Sequence, residues 1–385
     1  MENEQNKSRF SWKRITFILI LIIISFMAGI SGEFLGRVYL SNLSYFRDFY
    51  FTTPANLNQG EIVISQPRKV VVEQTLRLNQ VKNDIQTSVL GIYKKKNATN
   101  TLLDKIFLSQ DYIGQAIVLT SDGWLIARTN MDINPKEYVI AGSNQKIYKI
   151  DKVIEDEETK INFIKIQAQN LPVVKLADFN QVNYGEQVVA YNNFFDNLSL
   201  VNIESKNYKK LSNKFDFVSS TQNFDKFILL DKNFSYDYFG TPIFNLQSEL
   251  LGFIISREGN TSQAVPINYI NPIINQVLKD QAIKRVYLGI NYIDLSRAVG
   301  LDENDRQKQN FGAMIWPNEN GVAIASDSPL FNKLVKGDII ISIENQALDF
   351  NTDLTNLLLE YNSGQEIKIK YLHEQKDEEL NVVLK

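Results

Sequence analysis

The chain of 385 residues has no cysteine and a single histidine, His373. Without thiols there is no disulfide, no thiolate nucleophile, no zinc ribbon and no iron–sulfur ligation. With one imidazole, any site that needs two is excluded, the HExxH zinc arrangement among them. No metal and no cofactor is expected. Glycine numbers only 18, where average usage would give about 27. A surplus of positive charge is also missing: 41 Lys and Arg face 44 Asp and Glu, a net charge of −3. Nucleic acid is therefore not an expected partner. The phosphate-cradling patterns G-x-G-x-x-G and G-x-x-x-x-G-K-[ST] are absent, so nucleotide binding has no support. What is present is ordinary for a globular protein, 44% hydrophobic and 22% charged. The length allows two domains plus a terminal segment.

Charge is missing in another place as well. From Ile15 to Gly32 the sequence reads ITFILILIIISFMAGISG without one ionisable residue. At about 1.5 Å per residue, a helix of this length matches a thin bilayer core, and it has no polar face for water. Lys7, Arg9, Lys13 and Arg14 precede it, Trp12 suits the interface, and a balanced mixture beginning with Glu33 and Arg37 follows. The positive-inside rule then puts residues 1–14 in the cytoplasm, a membrane anchor at 15–32 and the rest of the chain outside. A cleaved signal peptide is the competing reading. The run is long for one, however, and no A-x-A site follows, so an uncleaved single-pass anchor is expected.

Residues 33–74 read as a juxtamembrane connector. Its aromatics Tyr45, Phe46, Phe49, Tyr50 and Phe51 suit a membrane interface or packing between subunits. A helix is expected over 71–85, with Leu78, Val81 and Ile85 on one face. Short apolar runs then follow at Val89–Tyr93, Ala116–Leu119, Trp124–Ala127, Lys146–Ile150, Ile161–Ile166 and Glu186–Tyr191, separated by polar turns such as Ser121-Asp122-Gly123. Many short strands at this spacing predict a sandwich or barrel. Residues 268–279 read as a closing helix with Pro272 in its first turn, and a last unit begins near Lys284.

These runs also carry a resemblance. Gly114 to Met131, GQAIVLTSDGWLIARTNM, resembles the stretch GSGVIISKDGYIVTNNHV of the HtrA/DegP/DegS-like proteases. Thr159 to Asn193 resembles that family's TD-LAVLKI and VGDWVVAIGNP region. Asp237 to Gly252, DYFGTPIFNLQSELLG, resembles GNSGGPLVNLNGEVIG, and Ala264-Val265-Pro266-Ile267 resembles the closing AIPS strand. The last hundred residues, from Tyr287-Leu288-Gly289-Ile290 through Lys336-Gly337-Asp338, resemble the PDZ domain that follows. The resemblance covers roughly residues 75 to 385 in order. It implies a mainly β chain: a trypsin-like double β-barrel at 75–280 and an α+β PDZ domain at 283–385, preceded by the N-terminal transmembrane helix.

Carried over residue by residue, the family's catalytic His falls on Asn130, its Asp on Lys160 and its Ser on Phe239, with Asp237 where the oxyanion loop has Gly. A serine hydroxyl needs a base to take its proton and an acid to protonate the leaving amine. An Asn amide cannot titrate near neutral pH, Phe has no oxygen, and Lys is a cation where an anion should orient the imidazole. His373 lies in the PDZ-like unit, so no shift of the alignment supplies the missing base, and His373 itself reads as an exposed residue of a terminal hairpin. A Ser–Lys pair survives this argument, with Ser219, Ser220, Ser235 and Thr241 near the nucleophile loop.

The PDZ resemblance makes Tyr287, Leu288, Gly289 and Ile290 a carboxylate-binding loop. Arg285 would add attraction and the strand 291–293 would be the free edge that pairs with a peptide. Residues 351–360 would form the groove helix, Leu354 and Leu358 facing the ligand or the core. The expectation is a membrane-anchored, catalytically inactive HtrA-like pseudoprotease. It would bind peptide or protein C-termini, or misfolded envelope proteins, outside a bacterial cytoplasmic membrane, as an adaptor, scaffold or chaperone. The resemblance also implies a homotrimer. The alternatives are an active endopeptidase with non-standard residues or in a mixed oligomer with an active paralogue, and a structural envelope protein with a vestigial PDZ fold.

Overall fold

The computed structural model describes residues 12–39, 66–96 and 101–385. The chain divides into two compact units, Met1–Val70 and Val71–Lys385. The first contains helix α1, Trp12–Tyr39. Its described side chains, residues 16–32, are all exposed, although most are Ile, Leu, Phe or Met. Among the described residues no helix is long and apolar enough to cross a membrane. Ile15, which completes the uncharged run, lies outside the described side chains. Lys7, Arg9 and the aromatic cluster from Tyr45 to Phe51 lie outside the described residues as well.

Helix α2, Gln66–Ile85, ends with Val81 and Ile85 buried and Leu78 packed beside them, the face that its periodicity predicts. Six strands follow: β1 (Val89–Lys94), β2 (Tyr112–Val118), β3 (Trp124–Arg128), β4 (Tyr138–Ala141), β5 (Ile147–Glu155) and β6 (Ile161–Ile166). They close into a barrel in the order β1-β2-β3-β6-β5-β4. Successive side chains of a strand point to opposite faces, and in β1, β2, β3 and β6 both faces are buried, whereas β5 is fully buried only at Ile150. Leu90, Ala116, Val118, Leu125, Ala127 and Ile164 fill the barrel. Their neighbours Val89, Ile117, Ile126 and Phe163 point outward into a second cluster with Val81, Phe244, Phe253 and Tyr269. Burial on both sides is why these strands read as apolar runs without polar alternation. At the β2–β3 turn, Gly123 has φ +102°, and a Cβ there would stand 2.3 Å from the Ile166 carbonyl, so only glycine closes the hairpin.

The next strands are β7 (Lys175–Leu176), β8 (Gln187–Asn192), β9 (Asn197–Tyr208), β10 (Val218–Ser220), β11 (Phe227–Leu230), β12 (Pro242–Asn245), β13 (Glu249–Glu258) and β14 (Thr261–Pro266). Strands β12, β8, β9, β11, β14 and β13 pair in sequence, and a β12–β13 pairing closes a second cycle. Its interior holds Val188, Ala190, Ile203, Ile228, Ile243 and Ile254. Helix α3, Asn271–Asp280, carries Pro272 in its first turn and ends at Gln281 in the left-handed conformation. The expected start at 268 is a 3-10 turn, Ile267–Tyr269, that precedes the helix.

The last sheet is built from β15 (Asn291–Asp294), β16 (Ala313–Ile315), β17 (Ile339–Ile343), β18 (Gln346–Ala347), β19 (Glu366–His373) and β20 (Lys376–Val383), with helix α4 (Leu354–Leu358) beside it. The helix expected over 351–360 is shorter at both ends. The Asp353 side chain accepts the Asn356 amide at 3.0 Å and so sets the start. Strand β10 does not join the second barrel. It pairs antiparallel with β15, so the order runs β10-β15-β16-β17-β19-β20.

Candidate functional site

Strand β3 leads to the loop that carries Asn130. Arg128 pairs with Ile161 at the end of the barrel, and Thr129 is buried, its hydroxyl donating to the Met131 carbonyl at 2.7 Å. The loop 235–241 comes against this edge because Gly240 has φ +74° and no side chain. A Cβ at 240 would lie 1.9 Å from the Arg128 carbonyl. The Gly240 amide is tied to the Ile254 carbonyl at 2.7 Å. This close approach gives the retained glycine a physical reason.

The loop itself is a 3-10 turn, Tyr236–Tyr238. Its tightness directs the Phe239 amide to the Tyr236 carbonyl at 2.9 Å and the Tyr238 amide to the Ser235 carbonyl at 3.0 Å. The half-buried Phe239 ring lies under the Arg128 guanidinium, 5.0 Å from ring centroid to Cζ, and its centroid is 6.2 Å from that of Tyr236. Asn130, exposed, donates through Nδ2 to the Tyr236 hydroxyl at 2.8 Å. Asn130 and Phe239 thus share one neighbour, Tyr236. Lys160 lies on the adjoining β5–β6 turn, one residue before the Ile161 that pairs with Arg128. It takes a left-handed φ of 56° there, and its Nζ reaches Glu155 at 3.1 Å. Burial pulls the Arg128 pKa down, and the nearby Glu155 charge works against that fall, so Arg128 is the residue electrostatically linked to the Lys160–Glu155 pair. Arg128 and Tyr236 organise this cleft, and nothing in the sequence pattern singled them out. Both act through neighbours distant in the chain.

Within this cluster no hydroxyl stands beside a base. Among the described residues the shortest Ser–Lys contact is elsewhere, on the excursion 209–226 that leaves the second barrel between β9 and β11. Lys209 Nζ donates to Ser219 Oγ at 2.9 Å and is also ion-paired with Asp225, whose carboxylate accepts from Ser219 at 3.3 Å. In this arrangement the Asp225 carboxylate engages both the lysine and the hydroxyl. Ser219 also sits in mid-strand, paired with Tyr292.

That pairing matters for the second site. The loop Tyr287–Ile290 is a tight turn. Gly289 is left-handed at φ +67°, with the Tyr287 ring folded against it, and the Leu288 and Gly289 amides have no partner among the described residues. The Tyr287 hydroxyl donates to Asp327 at 2.5 Å. Burial, reinforced by that carboxylate, pushes the phenol up to about 12, so it stays a neutral donor. Leu288, Ile290, Leu354 and Leu358 are all buried in one core cluster. The edge of β15, expected to be free, is occupied: Val218, Ser219 and Ser220 oppose Ile293, Tyr292 and Asn291. Thr221 continues the ladder. Its amide donates to the Ile290 carbonyl at 3.0 Å, and its Oγ1 accepts from the Ile290 amide at 3.2 Å. On the other wall, Thr355 of α4 touches the Tyr292 hydroxyl at 2.8 Å and donates to the Ser220 carbonyl at 3.4 Å.

Charge fixes this arrangement. Lys226, 4% exposed, pairs with Asp353 at 2.9 Å and Asp294 at 3.8 Å, so one ammonium bridges the start of α4 and the end of β15. Arg285 is not available to a ligand, which corrects the sequence expectation. It makes two hydrogen bonds to buried Asp156, at 2.8 and 2.6 Å, and a third to the Tyr269 carbonyl at 2.9 Å. Burial alone would raise the Asp156 pKa, but the Arg285 contacts and the Thr159 hydroxyl and amide hold it below the ordinary value. Among the described residues no group of acidic or His side chains could hold a metal ion.

Comparison with known proteins agrees with this architecture. Residues 286–384 match the PDZ domain family. Over 283 residues, 70% of this chain, the sequence is 26% identical to a probable periplasmic serine endoprotease DegP-like of Pseudomonas putida (strain GB-1), covering 55% of that protein. A protein of the same description from Marinomonas sp. (strain MWYL1) is 24% identical over 71% of this chain and 56% of its own length. The chain spans about half the length of these relatives. Among solved structures, the HtrA-type protease AlgW with tripeptide superimposes with a TM-score of 0.57 at 16% identity, covering 80% of this chain and 96% of that one. AlgW with decapeptide gives 0.53 at 15% identity, over 80% and 98%. Two trypsin-like β-barrels followed by a PDZ domain, together with these sequence relatives, make the chain a homologue of the DegP/HtrA serine endoproteases.

Proposed function

We propose that this protein is a membrane-anchored, catalytically inactive HtrA-like protein that binds peptide C-termini or unfolded extracytoplasmic chains through its PDZ domain. The observation that carries the inactive reading is the loop at Phe239. The residue aligned with the nucleophile has no oxygen, and the amide that would face an oxyanion is spent on the Tyr236 carbonyl at 2.9 Å. Stabilising a developing oxyanion needs donors aimed at empty space beside the nucleophile. At Asn130 the amide group cannot shuttle a proton, and it is held by the Tyr236 hydroxyl. Where the family has the triad Asp, Lys160 is a cation paired with Glu155 at 3.1 Å. The loss therefore extends from side chains to backbone.

Binding rests on other features. The left-handed Gly289 and the unpartnered amides of Leu288 and Gly289 suit a chain-terminal carboxylate. The peptide-bound HtrA-type structures favour the same use of the groove. Anchoring is supported by α1, whose described apolar side chains are exposed all round and so demand an apolar surrounding. The periplasmic naming of the relatives fits an extracytoplasmic bulk, with the N-terminus in the cytoplasm. The family resemblance is what supports assembly as a homotrimer.

A second reading, an active Ser–Lys hydrolase, is favoured by the 2.9 Å contact of Lys209 with Ser219. The Asp225 partner and the mid-strand position of Ser219 weigh against it. Two assays on the full chain decide. Casein should remain intact over a day, and an array of C-terminal peptides should be retained as free acids and lost as amides. Serine-dependent casein cleavage would reject inactivity, and equal retention of acids and amides would reject carboxylate recognition.

A further inference from the structure

A PDZ groove takes its ligand as an added antiparallel strand whose C-terminal end points to the carboxylate loop. Segment 218–221 does both. It runs antiparallel along β15, and its direction carries it from Ile293 to Ile290, the last residue of the loop. Thr355 of α4 reaches its backbone from the opposite wall. Lys226, just downstream, binds an acid on each wall.

We infer that residues Val218–Thr221 are a built-in ligand of the PDZ groove, and that an incoming chain end binds by displacing β10. This rests on the proposed reading of the groove as a peptide site. It adds a ligand class: a C-terminal segment of one apolar residue followed by small hydroxyl-bearing residues, in the pattern Val218-Ser219-Ser220-Thr221. The internal segment is an incomplete ligand. Where a free chain end would offer a carboxylate, it offers the neutral Thr221 hydroxyl to Ile290, and the Leu288 and Gly289 amides go unused. A carboxylate is the stronger acceptor for such donors. The internal strand has the advantage of tethering, which gives it a high effective concentration. The balance of the two makes the groove a gated site. A cavity of about 350 Å³ lined by Thr221, Gln222 and Leu358 adjoins the end of the segment and leaves room for a larger terminal side chain.

The test uses the full chain and a dye-labelled peptide of residues 213–221, Asn-Lys-Phe-Asp-Phe-Val-Ser-Ser-Thr, as free acid and as amide. Because the protein has no cysteine, the double substitution Ser220→Cys/Asn291→Cys gives one defined cross-strand pair that locks the segment when oxidised. The oxidised form should not bind the free acid, and reduction should restore binding. Lys226→Met should bind about tenfold tighter or better than the unaltered chain, since it weakens the tethered competitor, and should lose hydrogen-exchange protection at the Ser219 and Thr221 amides. Equal binding by the oxidised and reduced forms would overturn the proposal, as would unprotected amides in the unaltered chain. Equal binding of acid and amide that still depends on the disulfide would leave the built-in ligand standing and reject carboxylate recognition. If no form binds, loss of protection in Lys226→Met alone keeps the occluding segment and rejects the peptide-site reading, while unchanged protection rejects the segment's release.

Discussion

The cleft at Phe239 and the groove along β15 are made of the same materials, a tight loop and nearby backbone amides, yet they have opposite prospects. In the cleft the 3-10 turn bends the Phe239 and Tyr238 amides onto their own chain, and the side chains around them hold no base. In the groove Gly289 keeps its left-handed turn and two amides stay open, with strand β10 alongside. Catalysis depends on particular side chains with matched proton affinities, so a few replacements end it. Strand addition depends on backbone geometry and survives wide sequence change. On the proposed reading, peptide binding has outlasted the chemistry.

The comparison can be pressed hardest where the groove side of the molecule is fixed to the first barrel. Arg285→Ala leaves Asp156 as a buried carboxylate with its main partner gone, and should cost about 3–5 kcal/mol in denaturant unfolding. Asp156→Asn in the same background should return part of it. A cost below about 1 kcal/mol would mean that the pair behaves as a surface contact. Gly240→Ala comes next, with an expected loss of about 3 kcal/mol or more, because the new Cβ meets the Arg128 carbonyl. Gly185 has the same φ of +74° but open space, so Gly185→Ala should cost only about 1–2 kcal/mol, the left-handed penalty alone. Equal costs at the two positions would show that the loop 235–241 does not press on β3.

A smaller effect is expected at the one histidine. The hydrogen bond that His373 Nδ1 donates to Asp338 at 2.7 Å, and then the charge of that carboxylate, raise the His373 pKa above 6.5. A raised folded-state pKa stabilises the protein below the unfolded value and is lost as pH climbs through the folded one. Melting temperature should thus fall as pH rises above about 6.5, and His373→Gln should flatten that slope. An unchanged slope in the variant would place its origin elsewhere. The smallest expected effect is the most informative about the cleft. The triple change Asn130→His/Lys160→Asp/Phe239→Ser restores the side chains of a triad but not the turned amides. It should leave casein intact, and brisk cleavage would show that side chains alone had been lost.

Much of this architecture was legible in the sequence because both faces of β1, β2, β3 and β6 are buried. Ile161–Ile166 stands out as an unbroken apolar run and is a strand over the same residues. Val81 and Ile85 were readable from helical spacing. Strand β10 was not: Val-Ser-Ser is three residues long, has no repeating pattern, and gains its partner only from the distant β15. Arg285 was misread for a related reason. Next to the carboxylate loop in sequence it looked like a ligand contact, but its side chain turns to Asp156, far away in the chain. The cleft was half legible. Asn130 and Phe239 were placed as neighbours by the resemblance, whereas the joining roles of Tyr236 and Arg128 exist only in three dimensions.

The central claim is that no hydroxyl in this protein is activated for attack. Labelling of the full chain with a fluorophosphonate, followed by mapping of any modified residue by mass spectrometry, tests it directly. The account predicts no stoichiometric adduct at any serine, Ser219 included. A stoichiometric adduct on Ser219 that disappears in Lys209→Met would contradict it and establish an active Ser–Lys pair.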